Sequence, residues 1–336
     1  MERLGALSVA ARPVRIVLLV VALVVVAALA FVLPSHRVFR LTLVLVNATA
    51  VLGLGLATGF NGQVSLGHGA FFALGAYTSA ALMVKLGWPY LLTLVPAAAV
   101  TFAVGGAVGL LTLRIRGIYL ALVTLVLAVA TPPLLKRFSN VTGGAMGLSL
   151  GVPAAPSWWG IADHEWIYLL ALLVLASSML IVRNLVTSRV GRAVIAIREN
   201  ELAAQTMGVH LARVKTVTFA WSAMITGIAG VLFAWTFGFI SPDSFGFRLS
   251  IEFLVMLVIG GLGSIWGPLL GVVALRLVVG AWLAVFTSVF GAVSSGIERA
   301  PGIAYAVLVI GTLFVAPRGL AGLLLRGRDR FVHRHS

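Results

Sequence analysis

Apolar runs recur along this chain, each long enough to cross a lipid bilayer as a helix of about 20 residues. The first, VRIVLLVVALVVVAALAFVL at residues 14–33, lacks the alternation of apolar and polar residues typical of a transmembrane β-strand. Only 10% of the side chains are charged, and the mean hydropathy is +1.11. Because helices are the remaining way to satisfy backbone groups in lipid, the sequence predicts an all-α, polytopic membrane protein.

About ten transmembrane helices are predicted, several of them broken by Gly and Pro as in GGLGSIWGP. The predicted spans are residues 14–33, 41–59, 69–86, 89–113, 117–135, 165–183, 214–238, 249–264, 266–286 and 301–317. Residues 1–40 are interpreted as a tail and an uncleaved first span, because the run exceeds the roughly 7–15 apolar residues of a signal peptide. No loop is long enough to form a hydrophobic core of its own, so residues 1–336 are expected to form a single membrane domain.

The net charge of +15 would suggest nucleic acid in a soluble domain, but here it is better explained by membrane orientation. With the N-terminus inside, sixteen of the 24 Lys and Arg residues fall on inner loops or on the basic tail at residues 318–336. The positive-inside rule therefore predicts that both termini are cytoplasmic, with lipid and not nucleic acid as the surroundings. Arg37, Arg40, Lys136 and Arg137 are exceptions, since they fall outside.

A short charged segment, SRVGRAVIAIRENELAAQTMGV at residues 188–209, interrupts the apolar runs. Ser188 can cap a helix and Gly208 can end one in the left-handed conformation, so one helix of about four turns is predicted. Two interpretations are open. The helix could rest on lipid headgroups, or it could be a docking surface for a partner protein.

Motifs for an internal energy source or for catalysis are absent from the sequence. None of the three lysines completes a G-x-x-x-x-G-K-[ST] loop, and Glu252 is the one acidic residue clearly within a predicted span. There is no nucleophile elbow, metal-ligand spacing or channel filter. These absences disfavour an ATPase, another enzyme, an ion-coupled transporter and a channel. They favour a transport subunit, not an enzyme, driven by a separate ATPase docked on residues 188–209.

Five ordered blocks, spread over residues 40–320, resemble the LivM-type permease subunits of branched-chain amino acid ABC importers. They are GFNGQVSLGHGAFFALGAYTSA (59–80), LRIRGIYLALVTL (113–125), TGGAMGLSLGVP (142–153), GRAVIAIRENELAAQTMGV (191–209) and GFISPDSFGFRLSIEFLVMLVIGGLGSIWGPLLGVV (238–273). The third block departs from the common family pattern, with Ala145 and Met146 where Thr and Asp are frequent. That departure puts the identity of the cargo in question more than the fold.

The resemblance implies an ABC importer permease in the plasma (inner) membrane of a bacterium or archaeon. Its partners would be a second, LivH-like permease, two cytoplasmic ATPases and an external or periplasmic binding protein. The chain itself would hold no cofactor, because ATP and Mg would lie on the ATPases. The cargo would be branched-chain or similar small amino acids, with urea, short amides or another small solute as the alternative.

Two groups of site residues follow. The resemblance identifies residues 188–209 as a coupling helix that contacts an ATPase, with the expected contacts at Gly191, Arg192, Arg198, Glu199, Asn200, Glu201 and Gly208. The candidates for lining the pathway lie in two glycine-rich breaks, and they are Asn61, Gln63, Ser65, His68, Gly260, Gly261 and Gly263. For the first break, an ordinary loop whose polar groups satisfy one another is the open alternative. Glu252 is expected to pair with Arg248 across one helical turn.

Overall fold

Six helices in the described part of the chain are long and apolar enough to cross a membrane. The computed structural model describes residues 20–111, 113, 118–279 and 320–322. The six helices are Ser35–Phe60, His68–Leu86, Tyr90–Leu111, Tyr119–Arg137, Asp163–Thr187 and Leu211–Phe237. They correspond to six of the predicted spans, and the chain is a multi-pass helical membrane protein as predicted.

The remaining four predicted spans have different outcomes. The prediction of a full span at residues 249–264 is wrong, because this stretch forms a helix of 14 residues, Phe247–Gly260. At 1.5 Å per residue such a helix measures about 21 Å, which is short of the roughly 30 Å hydrocarbon core. Spans 14–33 and 266–286 fall partly outside the described residues, and 301–317 wholly outside. The count of ten therefore stays a prediction.

The elements follow one another as long helices joined by short irregular segments. In chain order they are α1 (Val20–Val32), α2 (Ser35–Leu54) continued by a π-helical turn (Gly55–Phe60), α3 (His68–Leu86), a 3₁₀ turn (Tyr90–Thr93), α4 (Leu94–Leu111), α5 (Ile118–Arg137), α6 (Ser139–Thr142), a 3₁₀ turn (Gly144–Met146), β1 (Leu148–Ser149), α7 (Asp163–Thr187), α8 (Arg189–Glu199), α9 (Glu201–Thr206), α10 (Leu211–Phe237), β2 (Phe239–Ile240), a 3₁₀ turn (Pro242–Phe245), α11 (Phe247–Gly260) and α12 (Gly267–Val273) continued by a second π-helical turn (Ala274–Val279).

Helix α10 lies at the centre of the bundle and packs against α2, α3 and α4. Small residues allow this close approach, because a Cβ on Gly75 of α3 would lie 2.0 Å from the carbonyl oxygen of Gly227. A Cβ on Gly230 would likewise lie 1.9 Å from the carbonyl oxygen of Phe72. Trp235 is fully buried nearby, and its indole N–H donates to Ser79 Oγ at 3.1 Å. The backbones of α3 and α10 are therefore in direct contact over much of their length.

Two short strands tie the loops together at one end of the bundle, which is called the strand end below. Strands β1 and β2 pair antiparallel, with Leu148 opposite Ile240. Lys136 Nζ also lies 2.7 Å from Asp243 Oδ1, which joins the end of α5 to the 3₁₀ turn after β2. The sequence does not predict this ribbon, although its strands come from the third and fifth of the resembling blocks. The opposite end of the bundle, the α8–α9 end, carries helices α8 and α9.

Adjacent glycines on α4 allow a test of the packing against α10. A Cβ on Gly105 would lie 2.3 Å from Ala223 Cβ, whereas one on Gly106 would lie 3.8 Å from Ala220 Cβ, an ordinary contact. We expect Gly105→Ala to lower the free energy of unfolding by about 1–3 kcal/mol, because the helices must separate. Gly106→Ala should leave it nearly unchanged. Thermal unfolding of the two purified variants in detergent measures the difference, and equal melting temperatures would contradict this account.

Candidate coupling site

The charged segment at residues 188–209 folds as two helices, so the prediction of one continuous helix is wrong. Helix α8 ends at Glu199, Asn200 adopts an extended conformation, and α9 begins at Glu201. Asn200 causes the break by capping α9, since its Oδ1 accepts from the Ala203 N–H at 3.1 Å. The predicted ends are confirmed. Ser188 Oγ accepts from the Val190 N–H at 3.1 Å, and Gly208 has a φ of +84°.

One face of α8 is buried against the membrane helices. Val194 belongs to an apolar cluster with Phe60 of the π-helical turn after α2 and Val182 of α7. Gly191 is also buried, and a Cβ there would lie 2.0 Å from the carbonyl oxygen of Val186. The structure therefore places Gly191 against the end of α7, within its own chain, where any larger residue would displace α8.

Arg198 joins α8 to both glycine-rich breaks. Its Nη1 donates to the carbonyl oxygen of Gly59 at 2.6 Å, at the end of the π-helical turn. A Cβ on Gly263, in the turn between α11 and α12, would lie 2.9 Å from the same nitrogen. Gly59 and Gly263 are themselves in contact, because a Cβ on Gly59 would lie 2.9 Å from the Gly263 nitrogen. One guanidinium group thus contacts the point where the two breaks meet.

Glu201 joins α9 to the central helix. Its carboxylate forms an ion pair with Lys215 Nζ, and the Lys215 side chain is only 8% exposed. A buried ammonium requires such a partner, because leaving it unpaired costs several kcal/mol (about 3–5). Lys215 is not among the predicted site residues, and its one signal in the sequence is a cation at the start of an apolar span. Through this pair, a displacement of α9 acts directly on α10.

The remaining coupling candidates lie on the exposed face of the segment. Arg192, Glu199, Asn200 and Gly208 are all exposed. Two apolar residues that the candidates omit share this surface, namely Leu202 at 68% exposure and Met207 at 84%. The seven candidates therefore divide into Gly191, Arg198 and Glu201, which contact the membrane helices, and an exposed group that can meet another molecule. Arg198 belongs to both groups, since it is itself exposed. Their contact with an ATPase stays a prediction.

The polar residues of the first glycine-rich break are buried and bonded to one another. Asn61 Nδ2 donates to Gln63 Oε1 at 2.8 Å. His68 lies 2.9 Å from Ser65 Oγ through Nδ1 and 2.7 Å from Ser222 Oγ through Nε2. Most of the loop's polar groups thus satisfy one another, which favours the loop alternative, while Asn61 Oδ1 is buried without a hydrogen-bond partner among the described residues. A role in lining the pathway stays a prediction.

The tautomer of His68 follows from these bonds. Ser222 Oγ donates its single proton to the Gly53 carbonyl oxygen at 2.6 Å, so it must accept from His68 Nε2–H. In the neutral imidazole Nδ1 is then an acceptor, and the Ser65 hydroxyl donates a hydrogen bond to it. His68 is the first residue of α3, and Ser65 lies in the loop before it. The imidazole therefore connects these two segments to Ser222 of α10 and, through Ser222, to α2.

In the second break, Gly260 and Gly261 are buried and Gly263 is half-buried. A Cβ on Gly260 would lie 1.9 Å from the Gly267 carbonyl oxygen, so the turn brings α11 and α12 into backbone contact. Further along these helices, Glu252 Oε1 lies 3.3 Å from Arg276 Nη2. The prediction that Glu252 pairs with Arg248 is therefore wrong. The turn folds α12 back beside α11 and so brings Arg276 to Glu252.

Comparison with known proteins connects this arrangement to a family. Residues 36–317 match the family described as branched-chain amino acid transport system, permease component. The chain belongs to this permease family. The match extends over both glycine-rich breaks, α8, α9 and the α11–α12 pair.

Individual members of the permease family are similar over most of the chain. The LivM permease protein of the Salmonella typhimurium high-affinity branched-chain amino acid transport system is 34% identical over 278 residues, 75% of this chain and 65% of the relative. Escherichia coli LivM is 34% identical over 282 residues, 76% of this chain and 66% of the relative. Escherichia coli LivH is 25% identical over 295 residues, covering 82% of this chain and 91% of the relative. The chain thus spans about two thirds of the length of the LivM relatives. No solved structure matches it.

The Glu201–Lys215 pair allows a local test of how α9 is held. We expect Glu201→Gln to speed amide hydrogen exchange in residues 201–206, because the amide forms a weaker bond to the buried ammonium than the carboxylate does. Glu199→Gln is the matched control, since Glu199 is exposed and lies two residues away. Exchange followed by mass spectrometry should separate the two variants. Equal exchange rates in residues 201–206 would show that the ion pair does not hold α9.

Proposed function

We propose that this chain is the transmembrane permease subunit of an ABC importer for branched-chain or similar small amino acids. It would form half of the translocation pathway beside a second, LivH-like permease. Membership of the permease family and the amino acid transport systems to which the LivM and LivH relatives belong support this proposal. The multi-pass helical fold agrees with it.

One observation carries the mechanism: the exposed α8–α9 segment is fastened to the membrane helices by charged side chains. Arg198 holds the end of the α2 helix, and Glu201 holds α10 through Lys215. A partner that moves the exposed face must therefore move both membrane helices. This arrangement favours a docking surface over a helix that rests on lipid headgroups.

The partner on this face would be a pair of cytoplasmic ATPases that bind ATP and Mg, so the chain itself would carry no ATPase site. The α8–α9 end would then face the cytoplasm, and the strand end would face the external binding protein. Both chain termini would be cytoplasmic, as the distribution of Lys and Arg predicts. The membrane would be the plasma (inner) membrane of a bacterium or archaeon.

Reconstitution of the complete importer in vesicles tests the function. The complex contains this chain, the second permease, both ATPases and the binding protein. We expect ATP-dependent uptake of radiolabelled leucine, isoleucine or valine. Uptake of urea or a short amide instead would favour the alternative cargo. Uptake by this chain alone, driven by an ion gradient, would overturn the proposal in favour of an ion-coupled transporter or channel.

The exposed apolar residues of the segment at residues 188–209 provide a test of docking. We expect Met207→Glu to reduce copurification of the ATPases by about tenfold or more, because a carboxylate in an apolar interface loses its hydration. Met146→Glu is the control, since Met146 is 86% exposed but lies before β1 at the strand end. Copurification is measured by quantitative gel analysis of the solubilised complex. Undiminished ATPase recovery with Met207→Glu would place the docking surface elsewhere.

Arg198 provides a test of transmission after docking. We expect Arg198→Ala to retain the ATPases and basal ATP hydrolysis but to lose most uptake, because α8 can then move without the Gly59 carbonyl. Arg198→Lys should restore part of the uptake, since an ammonium can donate to the same oxygen. ATP hydrolysis and uptake are measured on the same vesicles. Normal uptake per ATP in Arg198→Ala would remove this side chain from the mechanism.

A further inference from the structure

An ion pair joins α11 to the π-helical turn that continues α12. Glu252 lies on α11 about 8 Å along the axis from the start of the helix, in the half nearer the strand end. Arg276 lies on the π-helical turn that continues α12, and its Nη2 is 3.3 Å from Glu252 Oε1. The Glu252 side chain is 23% exposed and the Arg276 side chain 38%. The pair therefore reaches the outer surface of this chain.

A surface that carries such a pair is poorly suited to lipid. Charged side chains at membrane depth face a bundle interior or a water-filled cavity, because hydrocarbon cannot solvate them. Both side chains keep an exposed fraction in the described part of the chain, so the pair suits a face turned toward water or toward the second permease.

The geometry of the contact leaves both charged groups able to bind something else. A charge-assisted N–H···O bond usually measures about 2.7–2.9 Å, and Arg pairs with a carboxylate most strongly through two parallel bonds. The single contact of 3.3 Å is longer than that. Within the described residues, no other hydrogen bond or ion pair involves either side chain. The π-helical turn at Arg276 is a rare conformation that is frequent at functional sites.

We propose that Glu252 and Arg276 form a binding site for the charged end of a zwitterionic α-amino acid. The Arg276 guanidinium would take the substrate carboxylate, and the Glu252 carboxylate would take the substrate ammonium group. A zwitterion lying antiparallel to the ion pair satisfies all four charges without adding net charge to the pathway. This inference rests on the proposed function and assigns the cargo to the amino acid class, as against urea or neutral amides.

The surroundings of the pair suit an apolar substrate side chain. Val255 lies one helical turn from Glu252 on α11, and Val273 lies one turn from Arg276 on α12, so each shares a face with its charged neighbour. Both valines are half-buried. The site would thus recognise the charged backbone group through the ion pair and accommodate the side chain against valine.

The first experiment separates substrate recognition from a structural ion pair. In the reconstituted importer, Glu252→Gln and Arg276→Gln should each lower amino acid uptake by about tenfold, the loss expected for one charge-assisted bond. ATP hydrolysis stimulated by the binding protein should persist. The swapped variant, Glu252→Arg with Arg276→Glu, rebuilds a structural pair but reverses its direction, and should not restore uptake. Recovery of wild-type uptake in the swapped variant would overturn the proposal.

Asp243→Asn is the control that tests whether the loss of any ion pair lowers uptake. Asp243 pairs with Lys136 at the strand end, where the carboxylate is 71% exposed. Exposed pairs contribute little to stability, so uptake should stay close to wild type. An equal loss of uptake in Asp243→Asn and Glu252→Gln would mean that any lost ion pair disturbs the fold, and it would count against a site at Glu252.

The second experiment does not depend on transport. The chain contains no cysteine, so Val255→Cys introduces one thiol beside the intact pair. In the assembled complex, a charged methanethiosulfonate should modify this thiol, and millimolar leucine should slow the modification. The uncharged analogue 3-methylbutanamide should not slow it. Leu257→Cys, at a position that is 1% exposed, is the unreactive control.

These outcomes are distinguishable from failure of the proposed function. If the complex shows no ATP-dependent uptake, the proposed function fails, while the thiol assay still reports on the pair. If Val255→Cys is not modified, or if leucine gives no protection, the zwitterion site is overturned even in a complex that transports.

Discussion

Helix association in a bilayer gains little from hiding apolar surface, because lipid chains are as apolar as leucine. This bundle depends instead on close contact between backbones. Gly75 of α3 and Gly230 of α10 let these two helices touch along their backbones, and Gly53 of α2 leaves room for Thr226, where a Cβ would lie 2.4 Å from the threonine Oγ1. Helix backbones that are this close make many dispersion contacts, and a larger side chain at any of these glycines would push the helices apart and lose those contacts. Helices α2, α3, α4 and α10 therefore form the central group of the described part of the chain.

Buried polar side chains complete the central group. Thr226 Oγ1 donates within α10 to the Ser222 carbonyl oxygen at 3.0 Å, and Ser222 in turn binds both His68 and the Gly53 carbonyl. Three helices therefore share one hydrogen-bonded network next to the first glycine-rich break. Such a network resists relative displacement of α2, α3 and α10, because any shift leaves a buried polar group unsatisfied. These helices are suited to move as a unit when α8 and α9 are pushed.

The sequence predicts the parts of the molecule that local chemistry decides. Runs of apolar residues gave six membrane helices close to their observed bounds, and Ser188 and Gly208 cap the charged segment as expected. The errors concern residues with two possible roles. Asn200 can continue a helix or cap the next one, and both roles use nearby residues, so the local sequence does not decide between them. Glu252 has one cation a turn away and another on a different helix, and which of the two it pairs with depends on how α12 folds back on α11.

Both glycine-rich breaks lie next to the same side chain, Arg198 of α8. Arg198 contacts Gly59 at the end of α2 and approaches Gly263 in the turn between α11 and α12. Because α11 and α12 touch through Gly260 and Gly267, a force on that turn is passed to both helices together. The Glu252–Arg276 pair joins the same two helices farther from the turn, where a small change in their angle alters the separation of the two charges. A push on α8 would therefore reach both the central helices and the proposed substrate site through a single guanidinium group, with no flexible loop between them.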